Sequence, residues 1–218
     1  MTFGKSLGIF INMGRFRWSV NLAYAVGLIT TDGSLSKDGR HIVLVSKDIE
    51  QINNFAKCLK ITNKISLHTS NYNPSGKYYH IQFSNVELYR ILIGLGLTPN
   101  KTRTLAALKI PDSYFADFLR GHLDGDGNIS VVSHKESQYP QLRLRFCSAS
   151  INHLEWMKSS VSKLYNISGG FISKPNKNTQ YLIYAKADSI KLLELIYYYG
   201  VKYFLSRKYN YYLQKMGE

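Results

Sequence analysis

The segments Ala25-Val-Gly-Leu-Ile-Thr-Thr-Asp-Gly-Ser-Leu35 and Leu119-Arg-Gly-His-Leu-Asp-Gly-Asp-Gly-Asn-Ile129 are two versions of one phrase. Each is an apolar run with a glycine near its start (Gly27, Gly121), and each closes on Asp-Gly (Asp32-Gly33, Asp126-Gly127). Such runs predict helices terminated by a glycine that tolerates a left-handed backbone. Gly27 and Gly121, with Ala25 beside the first, permit two backbones to approach closely. The expectation is a central helix seam that brings Asp32 and Asp126 together at one end.

Working outward, the first such helix is predicted over about Asn21 to Thr31, with Asn21 as cap. A hairpin turning at Lys37-Asp38-Gly39 follows, with a second strand from Arg40 to Ser46. Asp48 then caps a helix to about Lys60, whose Ile49, Ile52, Phe55, Ala56 and Leu59 fall at helical spacing. A second hairpin is predicted from Lys64 to Ser84, turning at Asn73-Pro74-Ser75-Gly76, and then a helix over Asn85 to Gly94. After a connector containing Pro99 and Pro111 the order recurs. A helix starts near Ser113, and strands cover Asn128 to His134 and Gln141 to Cys147. A helix over Ile151 to Leu164, strands over Ile167 to Lys174 and Thr179 to Lys186, and a helix over Ser189 to Tyr198 complete it.

Asp126 follows Asp32 by 126 − 32 = 94 residues and Ser148 follows Ser46 by 148 − 46 = 102, so extra length is expected in the hairpin at Lys135 to Pro140. A unit of this size is too long for a solenoid and predicts an internally duplicated α+β domain with pseudo-twofold symmetry. The expected division is an N-terminal arm over 1–20, a first half over 21–98, a connector over 99–112 and a second half over 113–218.

The duplicated phrase resembles that of the LAGLIDADG homing endonucleases in their single-chain, two-motif form. Leu119, Gly121, Leu123, Asp124, Gly125, Asp126 and Gly127 carry the resemblance in the second copy, and Gly27, Leu28, Ile29, Asp32 and Gly33 in the first. Thr30 replaces an acid common at its position. The resemblance implies two αββαββα halves, each with a four-stranded antiparallel DNA-binding sheet, joined through paired motif helices. It also implies a monomer that binds a long duplex DNA target and hydrolyses one phosphodiester in each strand with Mg²⁺ or Mn²⁺.

Composition agrees with a polyanionic partner. The 28 Lys and Arg against 14 Asp and Glu give a net charge of +14. The excess is +9 up to residue 110 and +5 beyond it, which excludes a single basic tail and favours an extended basic surface. Cys58 and Cys147 have no CxxC partner and read as free thiols of a reducing interior such as an organelle matrix or a bacterial cytoplasm. No apolar run approaches the roughly 20 residues that span a bilayer. The first 31 residues lack acids but hold too short an apolar stretch for a signal core, so targeting stays open.

Asp32 and Asp126 are the strongest candidates for chemistry. Phosphodiester hydrolysis needs an activated water and a stabilised leaving oxygen, and divalent ions held by carboxylates supply both. Thr31 and Gly125 precede these acids and join them as expected metal-site residues. One Asp-Gly alone would be an ordinary helix end; the duplicated context favours metal. Asp124-Gly-Asp126-Gly-Asn128 also suggests a calcium loop, but Ile129 and Lys135 occupy positions where that loop needs Gly and Glu.

By resemblance, Lys47 and Lys101 are candidates for polarising the phosphate or the water, with Arg207 and Lys208 as second-half counterparts of Lys101. Ala149 falls where Lys47 would repeat, so the two centres are expected to be unequal. His122 reads as a satisfied interface histidine, and His134 and His153 show no ligand spacing. Most of the clustered tyrosines (Tyr197 to Tyr199, Tyr209 to Tyr212) read as core or capping residues.

Base reading is expected on the strands, where alternation separates two faces. Gln141, Arg143 and Arg145 alternate with Leu142, Leu144 and Phe146. Tyr78, His80 and Gln82 alternate likewise with Tyr79, Ile81 and Phe83, opposite Ser66, His68 and Ser70. Ser34, Ser36, Lys37, Arg40 and His41 in the first hairpin, and Ser130, Lys174, Gln180, Tyr184 and Lys186 in the second half, complete the expected DNA-binding set. Two other functions stay open: an intron maturase that binds intron RNA on the same scaffold, and a catalytically inactive DNA-binding regulator.

Overall fold

The computed structural model describes residues 17–70, 73–133, 140–173 and 179–216. It is α+β, with two four-stranded antiparallel sheets. The first half runs α1 (Val20–Asp32), β1 (Gly33–Leu35), β2 (His41–Ser46), α2 (Ile49–Leu59), β3 (Ile65–Ser70), β4 (Asn73–Ser84) and α3 (Val86–Leu95). The second runs α4 (Phe115–Asp126), β5 (Asn128–Val132), β6 (Gln141–Ser148), α5 (Ile151–Tyr165), β7 (Phe171–Ser173), β8 (Gln180–Tyr184), α6 (Lys186–Ile196) and α7 (Ser206–Met216). Strand orders are β1-β2-β4-β3 and β5-β6-β8-β7, so the second sheet repeats the first.

Every residue of α1 from Leu22 to Thr30 is buried, as expected of a helix apolar all round. It packs on α4 at glycine. A Cβ on Gly121 would sit 2.1 Å from Tyr24 O, and one on Gly27 would sit 2.3 Å from Phe118 O. The seam therefore exists because neither position carries a side chain. Each sheet lays its apolar face on this pair: Ile42, Leu44, Ile81 and Phe83 in the first half, Leu142, Leu144, Phe146 and Leu182 in the second. Ile52 and Phe55 of α2, Leu88 and Leu92 of α3, Leu154 and Met157 of α5 and Leu192 of α6 close the core.

Several sequence expectations are corrected. Helix α1 starts earlier than Asn21 and is capped by Ser19, whose Oγ accepts from Leu22 N at 3.2 Å. Gly33 and Gly127 end their helices in extended backbone (φ −91° and −88°), not the left-handed region. They are glycine for lack of room: a Cβ would lie 2.6 Å from Ile29 Cα or from Leu123 Cδ1, one helical turn back. The turn expected at Asn73 to Gly76 is displaced, because β4 already begins at Asn73 and the register slips from Thr69↔Lys77 to Ser70↔Asn73. Pro74 has no N–H for a ladder, which suits an irregularity. Lys186 is not a strand residue but opens α6, started when Ser189 N donates to Ala185 O at 2.8 Å and Ser189 Oγ to Tyr184 O at 2.8 Å.

The chain beyond Tyr198 is structured further than the repeat predicts. Buried Arg120 of α4 donates to Tyr203 O at 2.9 Å and Ile196 O at 3.1 Å and pairs with Asp117 at 2.8 Å, fastening that segment to the seam. Glu50 of α2 then caps α7 by accepting from Ser206 N at 3.0 Å, and Asn54 Nδ2 donates to Phe204 O at 2.9 Å. Tyr197 and Tyr212 are buried and stacked, whereas Tyr199 is fully exposed. Both cysteines are free, Cys58 buried and Cys147 half-buried. Among the described residues no helix is long and apolar enough to cross a membrane. Most of the N-terminal arm (1–16), His134 and the hairpin tip at 135–139 lie outside the described residues.

Candidate active site

Helices α1 and α4 end side by side, and their last residues are Asp32 and Asp126. Gly125 keeps the ends in contact: a Cβ there would lie 2.0 Å from Thr31 Oγ and 3.0 Å from Asp32 Oδ2. Burial pushes the Asp32 carboxyl up to about 6, the neighbouring Asp126 charge adds to this, and the Gln51 hydrogen bond opposes it. Burial raises Asp126 as well, against Lys208 and Lys101. Two like charges held together and partly desolvated form a site that gains from a cation.

Lys101 and Lys208 occupy matching places. Lys101, in the short 3-10 turn Lys101–Arg103, donates to Gly33 O, at the end of α1. Lys208, in the first turn of α7, donates to Asp124 O at 2.9 Å, to Gly127 O at 2.7 Å and to Leu123 O at 2.5 Å, at the end of α4. Cations at helix C-termini are favourable, and here each also faces the acid pair. Burial lowers both ammonium groups to about 8, with the acids pulling the other way. Of the two candidates in that stretch, Lys208 is the counterpart of Lys101. Arg207 is exposed and its guanidinium pairs with Asp48 at 2.9 Å. Lys47 is exposed too, its ammonium 5.4 Å from the centre of the Tyr78 ring.

Gln51 escaped the sequence reading. Its Nε2 donates to Asp32 Oδ2 at 2.6 Å, and its Oε1 accepts from Ser46 Oγ at 3.2 Å. The available signal was spacing, since Gln51, Phe55 and Cys58 share one buried stripe of α2. Asp124, at the position where α1 has Thr30, is wholly buried and accepts from Tyr24 OH and Leu205 N, both at 2.8 Å. It ties α1, α4 and the lead into α7 together.

His122 is not a satisfied histidine: among the described residues its Nδ1 has no hydrogen-bond partner. It stacks on His153 at 5.3 Å, and His153 donates from Nδ1 to Ala106 O at 2.9 Å. Burial lowers His153 to about 4, and it lowers His122 well below the usual 6.5. The unfolded chain therefore binds more protons at these residues between about pH 4 and 6.5, so they make stability rise with pH by at most about 1.4 kcal/mol per unit each. Asp32 and Asp124, both raised to about 6, act oppositely as pH rises from about 4 to 6. His153→Phe is expected to lose less stability than the parent between pH 7 and pH 5, measured by urea midpoints. An identical loss would mean that His153 is protonated in the fold.

The sheets present their other faces away from the helices. Ser34, Val43 and Gln82 align across three strands, as do Val45, His80 and Ser66. His68 sits opposite Tyr78, and its ring lies edge-on to His80 at 5.1 Å. Lys37 and Arg40 are exposed in the first hairpin beside half-buried Ser36, and Asp38 pairs with both His41 and Arg40. In the second sheet Asn128 registers with Arg145, Ser130 with Arg143 and Val132 with Gln141. Tyr184 does not belong to this face: it is fully buried, opposite Leu144 on the core side. Gln180 shares that side and donates to Ala149 O at 3.5 Å. Both follow from a period of two counted from buried Leu182. Lys174 and the side chain of Ser70 lie outside the described residues.

Two α+β halves joined through Asp-ended helices define the LAGLIDADG fold, and that is the fold of this chain. Similar solved structures include the homing endonuclease I-WcaI bound to its DNA recognition sequence, at 12% identity and TM-score 0.63 over 88% of this chain and 87% of that one. I-DmoI in complex with DNA and Ca is similar at 16% identity and TM-score 0.59, over 89% and 97%. The N-terminal LAGLIDADG domain of DUF199/WhiA is similar at 20% identity and TM-score 0.54, over 88% of each chain. No protein-family model and no curated protein matches.

Proposed function

We propose that the chain is a site-specific homing endonuclease that binds a long duplex and hydrolyses one phosphodiester in each strand. The observation that carries this is the convergence of Asp32 and Asp126 with Lys101 and Lys208 at the junction of the two halves. The donor set fits Mg²⁺ or Mn²⁺: hard oxygen ligands on two carboxylates, held at touching helix ends where Gly125 leaves no space for a side chain. Among the described residues no cluster of three or more His, Cys, Asp or Glu exists, so the remaining ligands would be phosphate oxygens and water, the usual pattern for Mg²⁺. Such an ion supplies charge stabilisation and a more acidic water.

Asp32 and Asp126 would each hold an ion at one of two adjacent centres, with the backbone at Thr31 and Gly125 close by. Gln51 fixes the rotamer of Asp32. Lys208 commits its three donors to carbonyls and so organises the end of α4, which leaves Lys101 the better placed ammonium for a phosphate oxygen. Arg143, Arg145, Gln141, Gln82 and His80 read base edges, and Val43 and Val45 suit thymine methyl groups. The two halves lie in one chain, so a monomer suffices, with 21–98 and 113–218 each covering half the target. The structural likeness to proteins bound to DNA supports a duplex DNA partner, and two intact acids support cleavage over an inactive regulator.

The test is incubation of purified protein with Mg²⁺ and a randomised duplex library, with sequencing of cut ends. No cleavage at micromolar enzyme would overturn the assignment. Gln51→Leu is expected to raise the metal concentration needed for half-maximal cleavage about 10-fold or more, by freeing Asp32. An unchanged metal titration would remove Gln51 from the site.

A further inference from the structure

The two acids are oriented by different means. In the first half a side-chain relay holds Asp32, from Ser46 Oγ through the Gln51 amide. The second half repeats the frame: Ser148 Oγ accepts from Ser150 N at 3.1 Å, as Ser46 Oγ accepts from Asp48 N at 3.1 Å. His153 takes the helix position of Gln51, both lying five residues after the serine, but it sends its Nδ1–H to Ala106 O. Stacked on it is His122, which is 1% exposed and whose Nδ1 has no partner among the described residues. His122 lines a cavity of about 60 Å³ together with Asp126, Lys101 and Ser148.

A buried ring nitrogen left without a partner costs about 1–3 kcal/mol. A polar cavity of this size is large enough for water and offers it several partners. We propose that His122 is a positioning residue for Asp126, acting through water held in this cavity that links His122 Nδ1 to the Asp126 carboxylate. The water takes the place that the Gln51 amide has at Asp32. Residue 122 corresponds to position 28 in the first motif, and Leu28 there is fully buried and needs no such partner. The histidine is thus an addition confined to one half, and it makes the two cutting centres unequal. The positioning role rests on the endonuclease function above; the water site does not.

Strand-labelled target duplex, cut by full-length protein in Mg²⁺, tests the role. His122→Leu introduces the residue the first motif already uses, and is expected to slow one nick about 10-fold with the other nick and DNA affinity unchanged. His122→Gln, whose amide can bond the same water, is expected to restore most of the lost rate. Unchanged rates, or equal slowing of both strands, overturn the proposal in favour of a packing role. A high-resolution crystal structure gives a readout independent of activity: an ordered water is expected within hydrogen-bond distance of His122 Nδ1, and a dry cavity overturns the proposal. A water there in a protein that cuts no duplex sinks the endonuclease function and the positioning role with it, while the water site stands.

Discussion

Asp126→Asn is expected to lower double-strand cleavage at least about 1,000-fold, equivalent to about 4 kcal/mol of transition-state stabilisation, while binding to the same duplex holds or tightens. The substitution keeps the shape of the side chain and removes the charge. Binding holds because one fewer negative charge faces the phosphates, which a +14 protein otherwise attracts. A second readout follows from geometry. Asp126 contributes to the raised titration of Asp32, so the Asp32 carboxyl, at about 6 in the parent, should titrate lower in the variant. NMR titration of the carboxylates without metal measures that shift. Wild-type cutting of both strands by the variant would refute the site assignment.

Gly121→Ala is expected to destabilise the fold by about 3 kcal/mol, near the upper end for an overpacked core, and to lower the melting temperature by about 6–12 °C. The new Cβ would be placed 2.1 Å from Tyr24 O and 3.0 Å from Gly27 Cα, and backbone cannot rotate aside as a side chain can. The helices must separate, and the acids at their ends separate with them, so cleavage should fall in protein that remains folded. Alanine's better helix propensity, worth about 1 kcal/mol, offsets only part of this. Gly39→Ala is the contrast. Gly39 has a positive φ of 79° but nothing within 4 Å of a Cβ, so its cost is confined to about 1–2 kcal/mol of backbone strain. Equal melting of Gly121→Ala and the parent would mean that the seam is not held by glycine contact.

The fold was largely legible because its signals are local and repeated. The helical spacing of Ile52 and Phe55, the Asp38-Gly39 turn and the alternation in Gln141 to Phe146 each specify an element with few neighbours needed. Errors gathered where long-range contact decides. The cap of α1 is a local exception, Ser19 rather than Asn21, whereas α7 has no counterpart helix among the described residues of the first half, and its start is set by Glu50, Asn54 and Arg120 from distant elements. Tyr184 and Gln180 lie on the core side of β8, a parity that burial anchors in so short a strand and that composition does not reveal.

The sequence alone determined the duplication, the acids that end its two motif helices, the glycines at the seam and the basic excess, since each is written in residue identity at a fixed interval. Tertiary structure decided which polar groups meet at those acids. Asp32 finds Gln51 across 19 residues, Lys208 finds the end of α4 across more than 80, and His122 meets His153 over a cavity. A hydrogen bond depends on position within a few tenths of an ångström, and such positions are set by how the seam, sheets and α7 pack together. The two centres therefore share a motif but differ in what orients the acid.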